Sequence, residues 1–581
     1  MCGIAGILNL NSSIVTIADL KKMTDVIVHR GPDGEGHWVG ENKNIGFGHR
    51  RLSIIDLSEA SRQPFHYANK RYTITFNGEI YNYLELRQEL QAKGYSFRTT
   101  GDTEILMALY NEHREDMLPM LDGMFALAIW DEDRQELFCA RDRFGEKPFH
   151  YFKSDEKFVF GSEMKELWAY GISKIVNHDK LNEFVNTGAP RARDKQTETC
   201  YDNIQILDAA TSLTVRDGKF IFKKYWSLDH VQINNDISLN EASKKFYELL
   251  RKSVELRLRS DVTVGSSLSG GLDSSAIVML VDQLKSEEQG QKTFSARFKG
   301  FKKDEGKYIE EVVKKCKNIE AFNTWPAENS IEDIIEKATW HQEEPFGSSS
   351  ILAQWSVMKL ARENNVTVLL DGQGADEYLA GYLPEYKTYI YQLFYQDKKR
   401  YKKEFVAFKE KHGAVYPIEP YENLESSRMK LGRWKANLTG KNIPHDTLFN
   451  ELKNYTTKFG LKELLRYADR NSMAHSVEVR LPFLSHHLVE FVFSLPDHFK
   501  VKEGWTKLIL RKSMEDLLPQ SITWRVDKIG YEPPQKSWME NDKIKEIISE
   551  QRSKFNIENE VNESYVKSTD WRLLMSHYIQ N

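Results

Sequence analysis

The stretch Ser269-Gly270-Gly271-Leu272-Asp273-Ser274-Ser275 stands between a short β-branched run, Val262-Thr263-Val264-Gly265, and an apolar run, Ala276-Ile277-Val278-Met279-Leu280-Val281. In order, these read as a strand, a glycine turn and the first turns of a helix. Adjacent glycines let the backbone approach a ligand closely, and serine hydroxyls and a helix N-terminus add donors aimed the same way. That combination suits a phosphate anion. The spacing is not Gly-x-x-x-x-Gly-Lys-Ser/Thr, so the loop belongs to a different phosphate-binding class from the common P-loop. Working outward, strand and helix patterns alternate. Thr293–Phe298 is followed by a helix through Glu310-Glu311-Val312-Val313, a short strand near Ala321-Phe322, two helices and Val366-Thr367-Val368-Leu369-Leu370. Such βαβ repetition predicts a doubly wound parallel α/β sheet with ligands at the carboxyl ends of its strands.

The bulk properties narrow the class. At 581 residues the chain exceeds the ~250–300 residues at which a single core stops growing, so two or more domains are expected. A formal charge of −4 gives no electrostatic case for a nucleic-acid or membrane partner. Cys2, Cys139, Cys200 and Cys316 lack metal-ligand spacing and suit a reducing cytoplasm. No apolar run reaches the ~18 residues of a membrane span, and no basic-then-apolar leader opens the chain. The Tyr-, Phe- and Lys-rich tract 383–460 reads as amphipathic helices rather than an RNA surface.

The N-terminal third carries a second kind of chemistry. Cys2 follows the initiator methionine directly. Once Met1 is removed, one residue holds both a thiol and an α-amine of pKa roughly 8, which serves as the base for its own side chain. Downstream lie His29-Arg30-Gly31-Pro32-Asp33-Gly34, the strand-like Gly48–Asp56 and Tyr72-Thr73-Ile74-Thr75-Phe76. The last runs into Asn77-Gly78-Glu79-Ile80-Tyr81-Asn82, and Thr100-Gly101-Asp102-Thr103-Glu104 then caps an apolar helix. Hydrolysis of a carboxamide requires a nucleophile, a base, oxyanion donors and a clamp for the amino-acid end.

In that order, these segments resemble the class II, N-terminal-nucleophile glutamine amidotransferase domain. The resemblance implies a four-layer αββα sandwich over residues 2–205 with two intervening helices. It also implies that Cys2 is the nucleophile and that the Asn77 side chain and Gly78 N–H form the oxyanion hole. Arg51 would hold the glutamine α-carboxylate, Glu79 and Asp102 the α-ammonium, and Ile54 and Ile55 would complete the pocket.

Over the remaining two-thirds, Ser269–Ser275 resembles the pyrophosphate loop of the N-type ATP pyrophosphatases. Asp371-Gly372-Gln373-Gly374-Ala375-Asp376-Glu377, Asp469–Met473, Ser476–Leu484, Lys507–Arg511 and Arg525–Tyr531 follow in the order of the glutamine-hydrolysing asparagine synthetase family. That likeness implies a synthetase domain over 235–540 with helical additions and a helical extension over 541–581. ATP would be held by Leu268, Ser269, Gly270, Gly271, Asp273, Ser274, Ser275, Ala296, Asp371 and Gly372. Asp273, Asp376 and Glu377 would hold Mg²⁺, and Lys528 would stabilise charge at the phosphates. The polar tract 190–235 reads as the linker. Glu343-Glu344-Pro345-Phe346-Gly347-Ser348-Ser349-Ser350 is expected to line the acceptor pocket. Departures include Asp371-Gly372-Gln373 for Ser-Gly-Glu/Asp and Ser485 for Asp.

The implied reaction joins glutamine-derived ammonia to an acyl-adenylate of aspartate, giving asparagine, AMP, pyrophosphate and glutamate. Free ammonia would be protonated in bulk water, so the two sites are expected to share an enclosed passage. The alternative is a paralogue amidating another carboxylate, such as a sugar acid of surface-polysaccharide synthesis. A β-lactam synthetase-like ligase fits less well because the whole glutaminase set is present. The intact site residues likewise argue against a silent binding protein. The resemblance leaves a homodimer open and implies no nucleic-acid or membrane partner.

Overall fold

The computed structural model describes residues 2–188, 196–286, 288–298, 300–301, 303–326, 331–421, 447–526, 535–555 and 563–580. The first half is built from two antiparallel sheets of six strands each. One runs in the spatial order Gln205–Ile206, His150–Lys153, Lys157–Gly161, Gly3–Asn9, Ile45–Arg51, Gly34–Val39. The other runs Lys219–Lys224, Thr211–Arg216, Glu136–Arg141, Gly123–Asp131, Tyr72–Ile80, Phe65–Tyr67. Their facing sides interdigitate through Ile4, Phe47, Ala126, Trp130 and Phe160. Helices Ile17–Asp25 and Met164–Tyr170 cover the outside of the first sheet, and Tyr83–Ala92 and Asp102–His113 that of the second. The result is the expected αββα sandwich.

The tract expected to be a linker contributes three strands to these sheets. In Thr211–Arg216 alternate residues Leu213 and Val215 are buried, which is the pattern of a half-buried strand. Lys219–Lys224 is an edge strand with almost no buried side chain, so its composition looks like a loop. The sandwich therefore continues past residue 205.

The second half is a five-stranded parallel sheet in the order Ile319–Thr324, Gln291–Ala296, Val264–Ser267, Val368–Leu370, Glu478–Arg480. From Val264–Ser267 the chain builds outward to one side, then crosses to the other at Val368–Leu370. This is a topological switch point, where the strand ends diverge and leave a crevice for a ligand. The loops leaving those two strands are Leu268–Gly271 and Asp371–Gly374. Helix Leu239–Arg257 packs below, its start fixed by a Ser238/Glu241 capping box.

The C-terminal helices are part of the body rather than an appendage. In Glu563–Gln580 the buried Trp571, Leu573, Leu574 and Met575 pack with Ile331, Ile335, Phe346 and Tyr467. Trp571 Nε1 donates to the Phe346 carbonyl at 2.9 Å. Tract 383–460 begins with helices Leu383–Gln396 and Lys398–His412, whose Tyr386, Tyr389, Phe394, Tyr401 and Phe408 enter the main core of this half.

The two halves are joined by a buried network of ions. Arg30 donates to both oxygens of Asp469 at 2.9 and 3.0 Å and to Glu163 at 2.9 Å. Arg470 faces Glu163 at 3.0 Å and Glu343 at 2.8 Å, and Lys165 contacts both of these carboxylates. Charges this deep are favourable only when fully paired, and removal of one partner leaves an uncompensated charge. Arg30→Met, which strips Asp469 of both bonds from Arg30, is expected to destabilise the protein by about 3–5 kcal/mol. A chemical-denaturation midpoint indistinguishable from wild type would refute that role.

Candidate active sites

The first site forms where strand Tyr72–Ile80 passes beneath the N-terminus. The strand continues through Asn77, Gly78 and Glu79, which places that triplet in a sheet edge rather than in a turn. The Cys2 nitrogen donates to Asn77 Oδ1 at 3.0 Å, and Asn77 Nδ2 has no hydrogen-bond partner among the described residues. An amide fixed by its oxygen with an unmet N–H₂ is placed to receive an oxyanion. A Cβ on Gly78 would lie 2.1 Å from the Met124 carbonyl, so only glycine fits there. The Cys2 thiol faces the Leu52 carbonyl at 3.9 Å. Burial pushes its pKa up, although Arg51 draws it down.

Arg51 is held by the carbonyls of Ser58, at 2.9 Å, and Asp56. The loop thereby aims its guanidinium at a fixed place. Glu79 and Asp102 are both buried, and Asp102 Oδ2 accepts the Ile80 N–H at 2.9 Å. Burial raises the Asp102 carboxyl to about 6, with the Ile80 N–H opposing it. Ile54 and Ile55 stand at the junction of the two halves. The Ile54 carbonyl accepts the Asp261 N–H at 2.9 Å, and Ile55 packs partly buried against both cores.

The second site lies at the switch point of the parallel sheet. Gly270 has φ +78°, in the left-handed region, and a Cβ there would press on Tyr308 at 2.9 Å. Ser269 and Ser274 bond to one another at 2.9 Å across the turn, and helix Leu272–Leu284 starts with its N-terminus over the loop. The Leu268 N–H is tied to the Phe294 carbonyl at 3.0 Å, and Ala296 ends the adjacent strand. The second loop comes very close: a Cβ on Gly372 would lie 2.9 Å from the Ser274 nitrogen and 3.0 Å from Asp273 Cβ. Burial raises the Asp371 carboxyl, opposed by its bond from Ser267. Its backbone N–H donates to the Arg480 carbonyl at 3.0 Å.

Asp273 and Asp376 converge on one cation. Lys507 Nζ lies 2.6 Å from Asp273 Oδ2 and 2.7 Å from Asp376 Oδ1. Glu377 turns to the Tyr382 hydroxyl at 2.6 Å, and burial with Asp376 beside it raises its carboxyl to about 7. Arg525 lies over the Tyr308 ring at 3.8 Å and donates to the Gly270 carbonyl at 3.3 Å. Neither Lys507 nor Arg525 is singled out by the sequence reading, although both lie in segments that carry the resemblance. Lys528 lies outside the described residues.

Glu343 and Glu344 of the segment expected to line the acceptor pocket direct their carboxylates to backbone donors of the first half. Glu343 accepts the N–H groups of Met164 and Lys165 at 2.9 and 2.8 Å, and Glu344 accepts that of Cys200 at 3.1 Å. Both belong to the seam between the halves, where cations and helix-start amides claim their charge. Among the described residues, two groups bring histidines and a carboxylate within ligating distance: His29, Glu163, His341 and Asp122, His486, His487. Glu163 is already met by Arg30, Lys165 and Arg470, and Asp122 lies 3.9 Å from Arg257. Neither group is read as a metal centre.

Comparison with known proteins agrees with this two-site plan. Residues 1–226 match the family model of the glutamine amidotransferase domain, and residues 245–578 match that of asparagine synthase. The chain belongs to the glutamine-hydrolysing asparagine synthetase family. It is 32% identical to asparagine synthetase [glutamine-hydrolyzing] 1 of Bacillus subtilis over 95% of this chain and 90% of that protein. To asparagine synthetase [glutamine-hydrolyzing] 3 of the same organism it is 32% identical over 90% of this chain and 86% of that protein. Amidase chry2 of Gibberella zeae is more distant, at 27% over 94% and 89%. As in this family, the chain pairs an amidotransferase half with a ligase half. Among the described residues, no helix is long and apolar enough to cross a membrane.

Proposed function

We propose that this chain hydrolyses glutamine at Cys2 and passes the ammonia to an aspartyl-adenylate formed from ATP at the Ser269–Ser275 loop. The products are asparagine, glutamate, AMP and pyrophosphate. The observation that carries the reading is Asn77, whose oxygen takes the Cys2 nitrogen while its N–H₂ has no partner among the described residues. Arg51 meets the glutamine α-carboxylate, and Glu79 and Asp102 meet the ammonium. The Gly78 N–H joins Asn77 in holding the oxyanion. Leu52, Ile54, Tyr81, Met124 and Phe144 of the first half pack into the core of the second. That apolar seam suits the transfer of neutral ammonia away from water. A reducing cytoplasm suits a catalytic thiol and four free cysteines.

The ATP half rests on the loop at the switch point. Asp273 and Asp376 each give one oxygen to Lys507, and as hard, partly exposed oxygen donors they would hold a magnesium ion beside that ammonium. Such an ion would supply neutralisation of phosphate charge. Glu377 supports the pair from behind. Asp371 and Gly372 flank the nucleotide, and Lys528 is assigned to its phosphates from sequence.

The acceptor is tested by measuring pyrophosphate release with ammonium as nitrogen donor and aspartate or uronic acids as acceptor. Release with aspartate alone supports the reading, and release only with a sugar acid replaces it by the paralogous amidation. A pH profile tests the ammonium clamp. Asp102, with a carboxyl raised to about 6, must be ionised to bind the α-ammonium, so glutamine binding is lost as pH falls through that value. We expect kcat/KM for glutamine to fall about tenfold per unit below it. Asp102→Asn should lower kcat/KM at neutral pH and remove its own share of that step, leaving the share of Glu79, whose carboxyl burial also raises. A wild-type profile flat from pH 5 to 7 would remove Asp102 from the clamp.

A further inference from the structure

The pocket around Cys2 is not closed by the first half alone. Strand Glu478–Arg480, the edge of the parallel sheet, sends two wholly buried charged side chains toward it. Arg480 Nη2 lies 3.6 Å from Glu79 Oε1, and Arg480 Nε donates to Glu478 Oε1 at 2.5 Å. Its Nη1 donates to the carbonyls of Arg257 and Arg259 at 2.9 and 2.6 Å. The guanidinium is thus fixed by the end of helix Leu239–Arg257 and by its own strand, and it carries that rigidity to Glu79. The other Glu79 oxygen, Oε2, is buried and has no hydrogen-bond partner among the described residues. One oxygen therefore faces the synthetase half and the other is left for a ligand. Burial, with Glu478 nearby, pushes the Glu79 carboxyl well up, and Arg480 opposes this.

We propose that Arg480 is a positioning residue of the glutamine pocket, supplied by the synthetase half, which holds the Glu79 carboxylate where the α-ammonium of glutamine arrives. The inference rests on the glutamine reading of the pocket given above. It makes the glutaminase a composite site: Arg480, which reaches Glu79 through its side chain, also accepts the Asp371 N–H of the nucleotide loop through its backbone. A guanidinium and an ammonium are not equivalent here, because the fixed fork serves Glu79, Glu478 and two carbonyls together.

The test measures glutaminase KM and kcat and ammonium-supported synthesis in the full chain for Arg480→Gln, Arg480→Lys, Glu79→Gln and the Arg480→Gln/Glu79→Gln double variant. Arg480→Gln should raise the glutamine KM at least about tenfold, because it leaves the buried Glu79 carboxylate without its cation. Glutaminase kcat should move far less, as expected for an interaction made equally in ground and transition states. Arg480→Lys should give an intermediate KM and remains informative if Arg480→Gln fails to fold. The double variant should be no worse than Glu79→Gln alone, because the two residues act as one unit. A wild-type KM in Arg480→Lys, or in Arg480→Gln while Glu79→Gln raises it, would overturn the proposal and leave the pocket reading standing. A parallel loss of ammonium-supported synthesis in Arg480→Gln would make Arg480 merely structural and overturn it too. An unchanged KM in Glu79→Gln would instead overturn the glutamine reading on which it rests.

Discussion

Cys2→Ala is expected to abolish glutamine-supported amidation while amidation supported by ammonium continues. The thiol belongs to the residue whose nitrogen stands 3.0 Å from Asn77 Oδ1. Without the sulfur no covalent γ-glutamyl intermediate forms. Loss of a nucleophile from an otherwise intact site costs on the order of 10⁴–10⁶ in rate. Arg51, Glu79 and Asp102 are untouched, so glutamine should still bind, which calorimetry on the variant would register. The nucleotide loop and its carboxylates belong to a different sheet and keep their geometry. Ammonium salts at mildly alkaline pH should then supply nitrogen directly to the activated acid. Equal loss of both activities in a folded Cys2→Ala protein would break the division of labour. A protein isolated with Met1 still attached would break the nucleophile assignment, since the α-amine could not then serve as base.

The sequence is most legible where chemistry lies in contiguous residues. Asn77, Gly78 and Glu79 stand side by side, and the strand that carries them delivers all three to one pocket. Ser269–Ser275 is likewise contiguous, a turn after one strand that runs into the first turn of helix Leu272–Leu284, and the alternation around it predicts the switch point that receives it. What sequence reading misses is pairing at long separation. Arg30 meets Asp469 across 439 positions, and Lys507 meets Asp273 across 234, with no local pattern linking either pair. The partners of Glu343 and Glu344 are hidden for the same reason: Lys165, Arg470 and Arg466 come from elsewhere in the chain to meet them. The C-terminal helix is expected from the sequence, but its packing is not legible because it is buried on several faces. Trp571, Leu573, Leu574 and Met575 fall on no single stripe, so the periodicity that marks an amphipathic helix is absent.

Lys507→Met is expected to leave basal glutaminase activity in place and to cut ATP-dependent amidation by about two to three orders of magnitude, the scale of a buried ion pair losing one partner. Lys507 is 4% exposed and opens helix Leu508–Met514 from a backbone φ of +51°, so its ammonium is delivered to one point. Burial opposes its charge, but Asp273 and Asp376 outweigh this and raise its pKa. The two aspartates start helices that lead out of the two loops at the switch point, and this cation ties those loops together. Methionine keeps the length and apolar stem but leaves two neighbouring carboxylates to repel one another, with Glu377 close behind. The loops should then separate, and pyrophosphate release with ammonium as nitrogen donor should fall. Glutamate formation from glutamine without ATP reads the other half of the molecule and should stay near its wild-type rate. Lys507→Arg, which keeps the charge but not the reach or shape, should recover part of the loss. Amidation within a few-fold of wild type in Lys507→Met would mean that the two carboxylates are organised without this lysine, and its place in the nucleotide site would be lost.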